Sequence, residues 1–141
     1  MKKTAVVYWS GTGNTAAMAE AVLEGMQAAG AEAKLLECSE AVNADLTVYD
    51  ALAYGCPAMG AETLEDSEFE PMFNDCKKKL AGKPVALFGS YGWGDGEWMR
   101  TWEADCKAAG ISLACESVIC NGAPEGEAVD QCKALGKALA D

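Results

Sequence analysis

This chain contains no histidine. The absence removes the usual general base, and with it the Ser–His and Cys–His nucleophile pairs, so hydrolysis of that kind is not expected. Cations are scarce as well: 11 Lys and Arg stand against 22 Asp and Glu, a net charge of −11. Nucleic acids and anionic membrane surfaces both need cations, so neither is an expected partner. A basic protein surface would suit this charge, as would simple solubility. The seven cysteines, Cys38, Cys56, Cys76, Cys106, Cys115, Cys120 and Cys132, form no C-x-x-C pair, and their number is odd. That spacing gives no basis for a disulfide framework, a zinc site or an iron–sulfur cluster. The expectation is no metal, and small buried thiols in a reducing compartment. No apolar stretch approaches the roughly 20 residues of a membrane span. Met1-Lys2-Lys3 enter a short apolar run with no small-residue cleavage site after it. No signal peptide is therefore expected, and the cytoplasm is the default location.

What is present is a regular alternation of strand and helix patterns. Strands are expected at about Lys3 to Trp9, around Ala33 to Glu37, at Ala51 to Gly55, at Pro84 to Gly89 and at about Ser112 to Ile119. Helices are expected from about Gly13 to Ala29, Ser67 to Leu80, after Gly96 to Gly110, and after Gly126, where Val129, Cys132, Leu135 and Leu139 recur at helical spacing. Such alternation implies an α/β domain with a parallel sheet and right-handed crossovers, here a single unit over residues 1–141. Ligands of such sheets sit beyond the carboxyl ends of the strands. The unusual sequence of this chain falls there, after strands one, three and four.

Ser10-Gly11-Thr12-Gly13-Asn14-Thr15 follow the first strand and open the first helix. A turn of this kind aims backbone amides and the positive end of a helix dipole at one point, which suits a phosphate. It carries no Lys or Arg, so neutral donors must hold the anion. It lacks the Gly-Lys-Ser/Thr of a P-loop, which argues against nucleoside triphosphate hydrolysis. Gly11, Gly13 and Ala16 do spell G-x-G-x-x-A, a weak dinucleotide fingerprint, and Glu37 lies where a ribose-binding acid would stand. The density of hydroxyls and amides favours a terminal phosphate instead. The second loop is Gly55-Cys56-Pro57-Ala58-Met59-Gly60-Ala61-Glu62; Met59 suits an aromatic face, though a lone Met more often belongs to a core. In the third, Ser90-Tyr91-Gly92-Trp93-Gly94-Asp95-Gly96-Glu97-Trp98, the flanking glycines take Trp93 out of ordinary core packing and point to stacking on a planar ring. Trp98 and Trp102, four residues apart, read as helix-to-sheet packing. A ligand with a phosphate at one end and a flat ring at the other fits flavin mononucleotide (FMN) better than a simple nucleotide.

Tyr8-Trp9-Ser10-Gly11-Thr12-Gly13-Asn14-Thr15, Gly55-Cys56-Pro57-Ala58-Met59-Gly60 and Leu87-Phe88-Gly89-Ser90-Tyr91-Gly92-Trp93-Gly94 resemble the short-chain flavodoxins of anaerobic bacteria, along essentially the whole chain. The resemblance implies a flavodoxin-like three-layer sandwich, with a five-stranded parallel sheet in order 2-1-3-4-5 and helices on both faces. It implies non-covalent FMN, no catalytic residues, and low-potential one-electron transfer between redox proteins. By position, Ser10, Thr12, Asn14 and Thr15 would hold the phosphate, with Trp9, Gly11 and Gly13 shaping that loop. Met59 and Trp93 would flank the ring, Glu62 would bond the flavin N3–H, and Pro57, Ala58, Gly60, Ser90, Tyr91, Gly92 and Gly94 would frame it. Ala61 stands where relatives often carry a polar residue, which leaves the turn type at Met59-Gly60-Ala61 open. The Asn121 to Glu125 loop matches less clearly.

Glu62, Glu65, Asp66, Glu68, Glu70, Asp95 and Glu97 would surround the flavin with negative charge, which should disfavour its fully reduced anion. A peptide flip at Met59-Gly60 would offer a carbonyl to the N5 proton of the half-reduced flavin. Partners would be basic redox proteins met briefly by a monomer. The alternative is a small FMN-dependent NAD(P)H or quinone reductase, although little chain remains for a nicotinamide site. A signalling receiver domain would need acids where Trp9-Ser10 and Gly55-Cys56 stand, and a dinucleotide-binding module rests on the weak fingerprint alone.

Overall fold

The computed structural model describes residues 2–59, 63–80, 82–92 and 94–141. Four parallel strands form the body of the sheet: β1 (Lys3–Tyr8), β2 (Glu32–Glu37), β3 (Ala51–Gly55) and β4 (Pro84–Tyr91). Two short strands, β5 (Ser112–Leu113) and β6 (Val118–Asn121), complete it. The order is β2-β1-β3-β4-β5, with β6 also on β4. The helices are α1 (Asn14–Ala28), α2 (Cys38–Ala41), α3 (Phe69–Cys76), α4 (Glu97–Ala108) and α5 (Glu127–Ala140). None of the described helices is long and apolar enough to cross a membrane.

Alternation along the central strands builds two cores. Ala5 and Val7 of β1, Leu52 and Tyr54 of β3, and Val85 and Leu87 of β4 face α3 and α4. Val6, Ala51, Ala53, Ala86 and Phe88 face α1 and α5. Burial on both sides explains why these strands read as continuous apolar runs. On the first face Tyr54, Phe69, Phe73 and Trp102 meet edge to face, with Tyr54–Phe73, Phe69–Trp102 and Phe73–Trp102 centroids 5.1, 5.4 and 5.5 Å apart. Trp98 and Trp102 are both buried in this layer, as their spacing predicts.

Four expected boundaries need correction. The fifth strand, expected as one piece over Ser112 to Ile119, is broken: β5 pairs with Pro84–Val85, and β6 pairs with Phe88–Tyr91. An edge strand has a ladder partner on one side only, so it can leave the sheet and rejoin at modest cost. At the break, the Ser117 hydroxyl donates to Glu103 on α4 at 2.8 Å. β6 also takes in Cys120 and Asn121, expected in the following loop, and β4 runs on through Ser90 and Tyr91, expected in the third loop. Their backbones extend the β4–β6 ladder as far as Tyr91↔Asn121.

The helix expected over Ser67 to Leu80 is shorter, α3 followed by a 3-10 turn at Lys77–Lys79. Its start is set by Glu65. That carboxylate is buried and accepts the amides of Ser67 (3.1 Å), Glu68 (2.7 Å) and Phe69 (2.8 Å), together with the Ser67 hydroxyl. Glu65 is therefore no part of an exposed acidic rim. Burial pushes its pKa up, but the hydrogen bonds from the Ser67 side chain and the three amides outweigh burial and leave it below the ordinary carboxylate value. A depressed folded pKa means stability that is present above the unfolded value and lost as pH falls through the folded one. Glu65→Gln should therefore lower the urea midpoint at pH 7. It should also flatten the loss of stability that the parent protein shows as pH falls below about 4.5. Equal acid sensitivity in both proteins would contradict this role.

α1 and α5 cross on the second face, and glycines set how closely. A Cβ on Gly25 would lie 2.1 Å from the Lys133 carbonyl oxygen, and one on Gly136 would lie 2.1 Å from that of Val22. Backbone cannot yield as a side-chain tip can. Gly136→Ala is expected to destabilise the protein by about 1–3 kcal/mol in equilibrium urea unfolding, as overpacked cores do. Unchanged stability would show that the helices can slide apart freely.

Candidate functional site

The loops after β1, β3 and β4 meet at the carboxyl edge of the sheet. They enclose a cleft of about 250 Å³ lined by Trp9, Gly11, Thr12, Asn14, Pro57, Ala58, Met59, Ser90, Tyr91, Gly92 and Gly122. Ten of the residues expected at a cofactor site thus come together. Gly122 is an addition. The Ser90 hydroxyl donates to its carbonyl at 2.6 Å, and its amide donates to Tyr91 O at 2.9 Å, so the loop after β6 is drawn into the wall. Gly94 does not line the cleft. Gly60, Glu62 and Trp93, and with them the turn at Met59-Gly60-Ala61, lie outside the described residues.

The first loop is anchored by the Trp9 amide, which donates to Gly55 O at 3.0 Å. The chain folds back so that Gly11 packs on the Trp9 indole. Ser10 Oγ accepts the Gly13 amide at 3.0 Å, which leaves its own proton free to donate outward. Gly13 is the residue before α1 and sits at φ +98°, a left-handed conformation that glycine adopts without strain. No side chain caps α1. The first helical bond runs from the Ala17 amide to Gly13 O at 3.0 Å, so the amides of Asn14, Thr15 and Ala16 have no acceptor within the helix. Thr15 Oγ1 is buried and also has no hydrogen-bond partner. Buried hydroxyls are normally paired. An unpaired hydroxyl beside three free amides at a helix N-terminus is a donor set that fits a phosphate.

The rest of the cleft is apolar, with Trp9, Pro57, Ala58, Met59 and Tyr91 in its wall. Backbone bonds fix the second loop: Ala58 N donates to Ser90 O at 3.0 Å and Met59 N to Thr63 O at 2.9 Å. These surfaces suit a flat aromatic ring, and together with the donor set they fit FMN.

Glu37 does not behave as a ribose-binding acid. It caps α2 in a reciprocal box with Glu40, and it accepts the Tyr8 hydroxyl at 3.4 Å. Its carboxylate therefore serves structural donors within a neighbouring cleft formed by Tyr8, Trp9, Ser10, Glu37, Cys38, Ser39 and Glu68. All seven cysteines are free; Cys38, Cys56, Cys106 and Cys132 are buried and the other three half-buried. Burial pushes Cys38 up to about 11, and Cys106 and Cys132 to about 12, so they remain protonated thiols rather than nucleophiles.

Charge is distributed unevenly. Exposed Asp66, Glu68 and Glu70 stand at the start of α3, Glu97 at the start of α4, and Glu127 and Asp130 at the start of α5. Asp95 is paired with Arg100 at 2.9 Å. Lysines gather at the other edge of the sheet: Lys2 and Lys3 before or at the start of β1, Lys77–Lys79 after α3, Lys83 before β4, and Lys107 and Lys137 in the last turns of α4 and α5. The cleft therefore opens on the acidic side of the molecule.

A sequence profile described as "Flavodoxin" matches residues 6–136. The chain is 44% identical to the flavodoxin of Megasphaera elsdenii over 135 residues, 96% of each chain. It is 43% identical to that of Clostridium beijerinckii over 136 residues, 96% of this chain and 98% of the relative. Its fold superposes on the solution structure of two-electron reduced Megasphaera elsdenii flavodoxin with a TM-score of 0.88, at 45% identity, covering 97% of this chain and 98% of the other. Likeness of this extent, on a cleft built to take a phosphate and a flat ring, settles the family: the chain belongs to the flavodoxins, FMN-binding electron carriers rather than enzymes.

Proposed function

We propose that this single domain is a low-potential, one-electron carrier whose FMN phosphate is held by the Ser10–Thr15 loop. The observation that carries this reading is the buried, unpartnered Thr15 hydroxyl beside the free amides of α1. Ser10, Thr12 and Asn14 add side-chain donors, with Gly11 and Gly13 giving close backbone approach. The isoalloxazine ring would then be held in the apolar part of the cleft by Trp9, Pro57, Ala58, Met59 and Tyr91, with Ser90 and Gly92 beside it. Met59 and Trp93 on its two faces, Glu62 at its N3–H and a flip at Gly60 are assignments that rest on the sequence resemblance.

FMN supplies the redox centre when bound. What the chain supplies is a site with neutral donors, apolar walls and an acidic rim. Neutral donors leave the phosphate charge uncompensated, and Asp66, Glu68, Glu70 and Glu97 add more of the same sign. An added negative charge is disfavoured in such a place, which supports a low potential. The partners are redox proteins. The acidic edge around the cleft supports partners with basic surfaces, met by a monomer in the cytoplasm.

Thr15→Val tests the phosphate assignment. The two side chains are nearly isosteric, and no hydrogen bond within the protein is lost. The apoprotein should keep its stability within about 0.5 kcal/mol, while its FMN dissociation constant rises about tenfold. Unchanged FMN affinity would remove the assignment. Electrostatic docking is tested by stopped-flow electron transfer to a cationic haem protein. The rate should fall severalfold or more between about 10 mM and about 300 mM salt. A rate indifferent to salt would contradict a basic partner surface.

A further inference from the structure

We infer that Trp98 is a positioning residue for the ring cleft: its indole N–H sets the course of the second loop, and its ring couples that loop to the third. The inference rests on the cleft being the FMN site. Trp98 is 1% exposed and stands at the second residue of α4, so it has no access to the cleft's contents and acts through its neighbours. Its Nε1 donates to the Cys56 carbonyl oxygen at 3.1 Å, a buried bond between residues 42 apart in the chain. Cys56 is the first residue after β3, and Pro57, Ala58 and Met59 of the cleft wall follow it directly.

The geometry gives that bond leverage. Fixing the Cys56 carbonyl fixes the plane of the Cys56–Pro57 peptide, and Pro57 transmits the direction because its own φ is locked. The second loop therefore leaves the sheet along a line chosen by the indole. The same indole lies 5.5 Å from the Tyr91 ring at 49°, and Tyr91 lines the cleft from β4. Gly89 makes the approach possible: a Cβ there would stand 2.2 Å from Cys56 O and 3.1 Å from Cζ2 of Trp98. One buried side chain thus touches the origin of one cleft wall and the aromatic group of another. A buried carbonyl that loses its donor is strongly disfavoured, so removing the N–H should turn this peptide toward another partner.

Trp102 provides a matched control. It lies one turn further along α4, is 2% exposed, and its Nε1 has no hydrogen-bond partner. Trp98→Phe and Trp102→Phe both remove an indole N–H while keeping an aromatic ring, but only the first breaks a bond. Four readouts are compared: FMN affinity of the apoprotein, midpoint potentials of the two electron steps, visible circular dichroism of the bound flavin, and amide exchange at Ala58 and Met59 in the apoprotein. Trp98→Phe is expected to weaken FMN binding about tenfold, shift both potentials, alter the dichroism and speed exchange at those amides. Trp102→Phe is expected to move the unfolding midpoint and leave the four readouts near those of the parent protein. If Trp98→Phe fails to fold, β-(3-benzothienyl)alanine at position 98 keeps the bicyclic ring without the N–H, and the same readouts apply. Equal effects from the two variants, or no effect from the first, would overturn the positioning role. Failure of the parent apoprotein to bind FMN at all would instead overturn the site reading beneath it.

Discussion

The structure depends on a helix N-terminus left without an internal acceptor. A glycine in a left-handed conformation precedes α1, and no side chain caps it. The amides of the first turn and a buried threonine hydroxyl are therefore left without hydrogen-bond partners among the described residues. Capping such an end is usually worth about 1 kcal/mol. This chain forgoes that gain at the helix that crosses α5 in its second core, while α2 and α3 carry internal caps from Glu37 and Glu65. α4 and α5 also begin at glycines without a side-chain cap; what sets α1 apart is the buried, unpartnered Thr15 hydroxyl in its first turn.

The choice of neutral donors governs the electrostatics. A lysine in the loop would neutralise the phosphate and raise the potential of anything bound beside it. Without one, a strongly acidic chain would surround an anionic ligand with more negative charge, while most of its lysines stand toward the far edge of the sheet. Parallel topology makes that sorting simple. The longer helices begin at the carboxyl edge and end at the other, so the first-turn acids of α3, α4 and α5 and the last-turn lysines of α4 and α5 also complement the helix dipoles. One arrangement thus complements helix dipoles and gathers negative charge on the side where the cleft opens.

The central strands and the order of the loops were legible in the sequence because each is a local pattern. Apolar runs at about Lys3 to Trp9 and at Pro84 to Gly89 mark strands buried on two faces. The glycine and hydroxyl turn at 10–15 marks the start of α1. What escaped depends on distant partners. Glu65 read as one of several surface acids, since only the folded chain brings the start of α3 around its carboxylate. Ser112 to Ile119 read as one strand, because nothing local records that an edge can detach between Leu113 and Val118. Gly122 joined the cleft through the Ser90 hydroxyl, 32 residues away. Trp98 was legible as core, while its bond to Cys56 was not.

The measurement that bears most directly on the account is an anaerobic dithionite titration of the purified protein, followed by visible spectra. The protein should be yellow and pass through a blue one-electron form before bleaching, with the second electron entering at a distinctly lower potential than the first. A yellow protein that bleaches in a single two-electron step would contradict the one-electron, low-potential carrier. A colourless protein that takes up no FMN would contradict the neutral phosphate site on which the account stands.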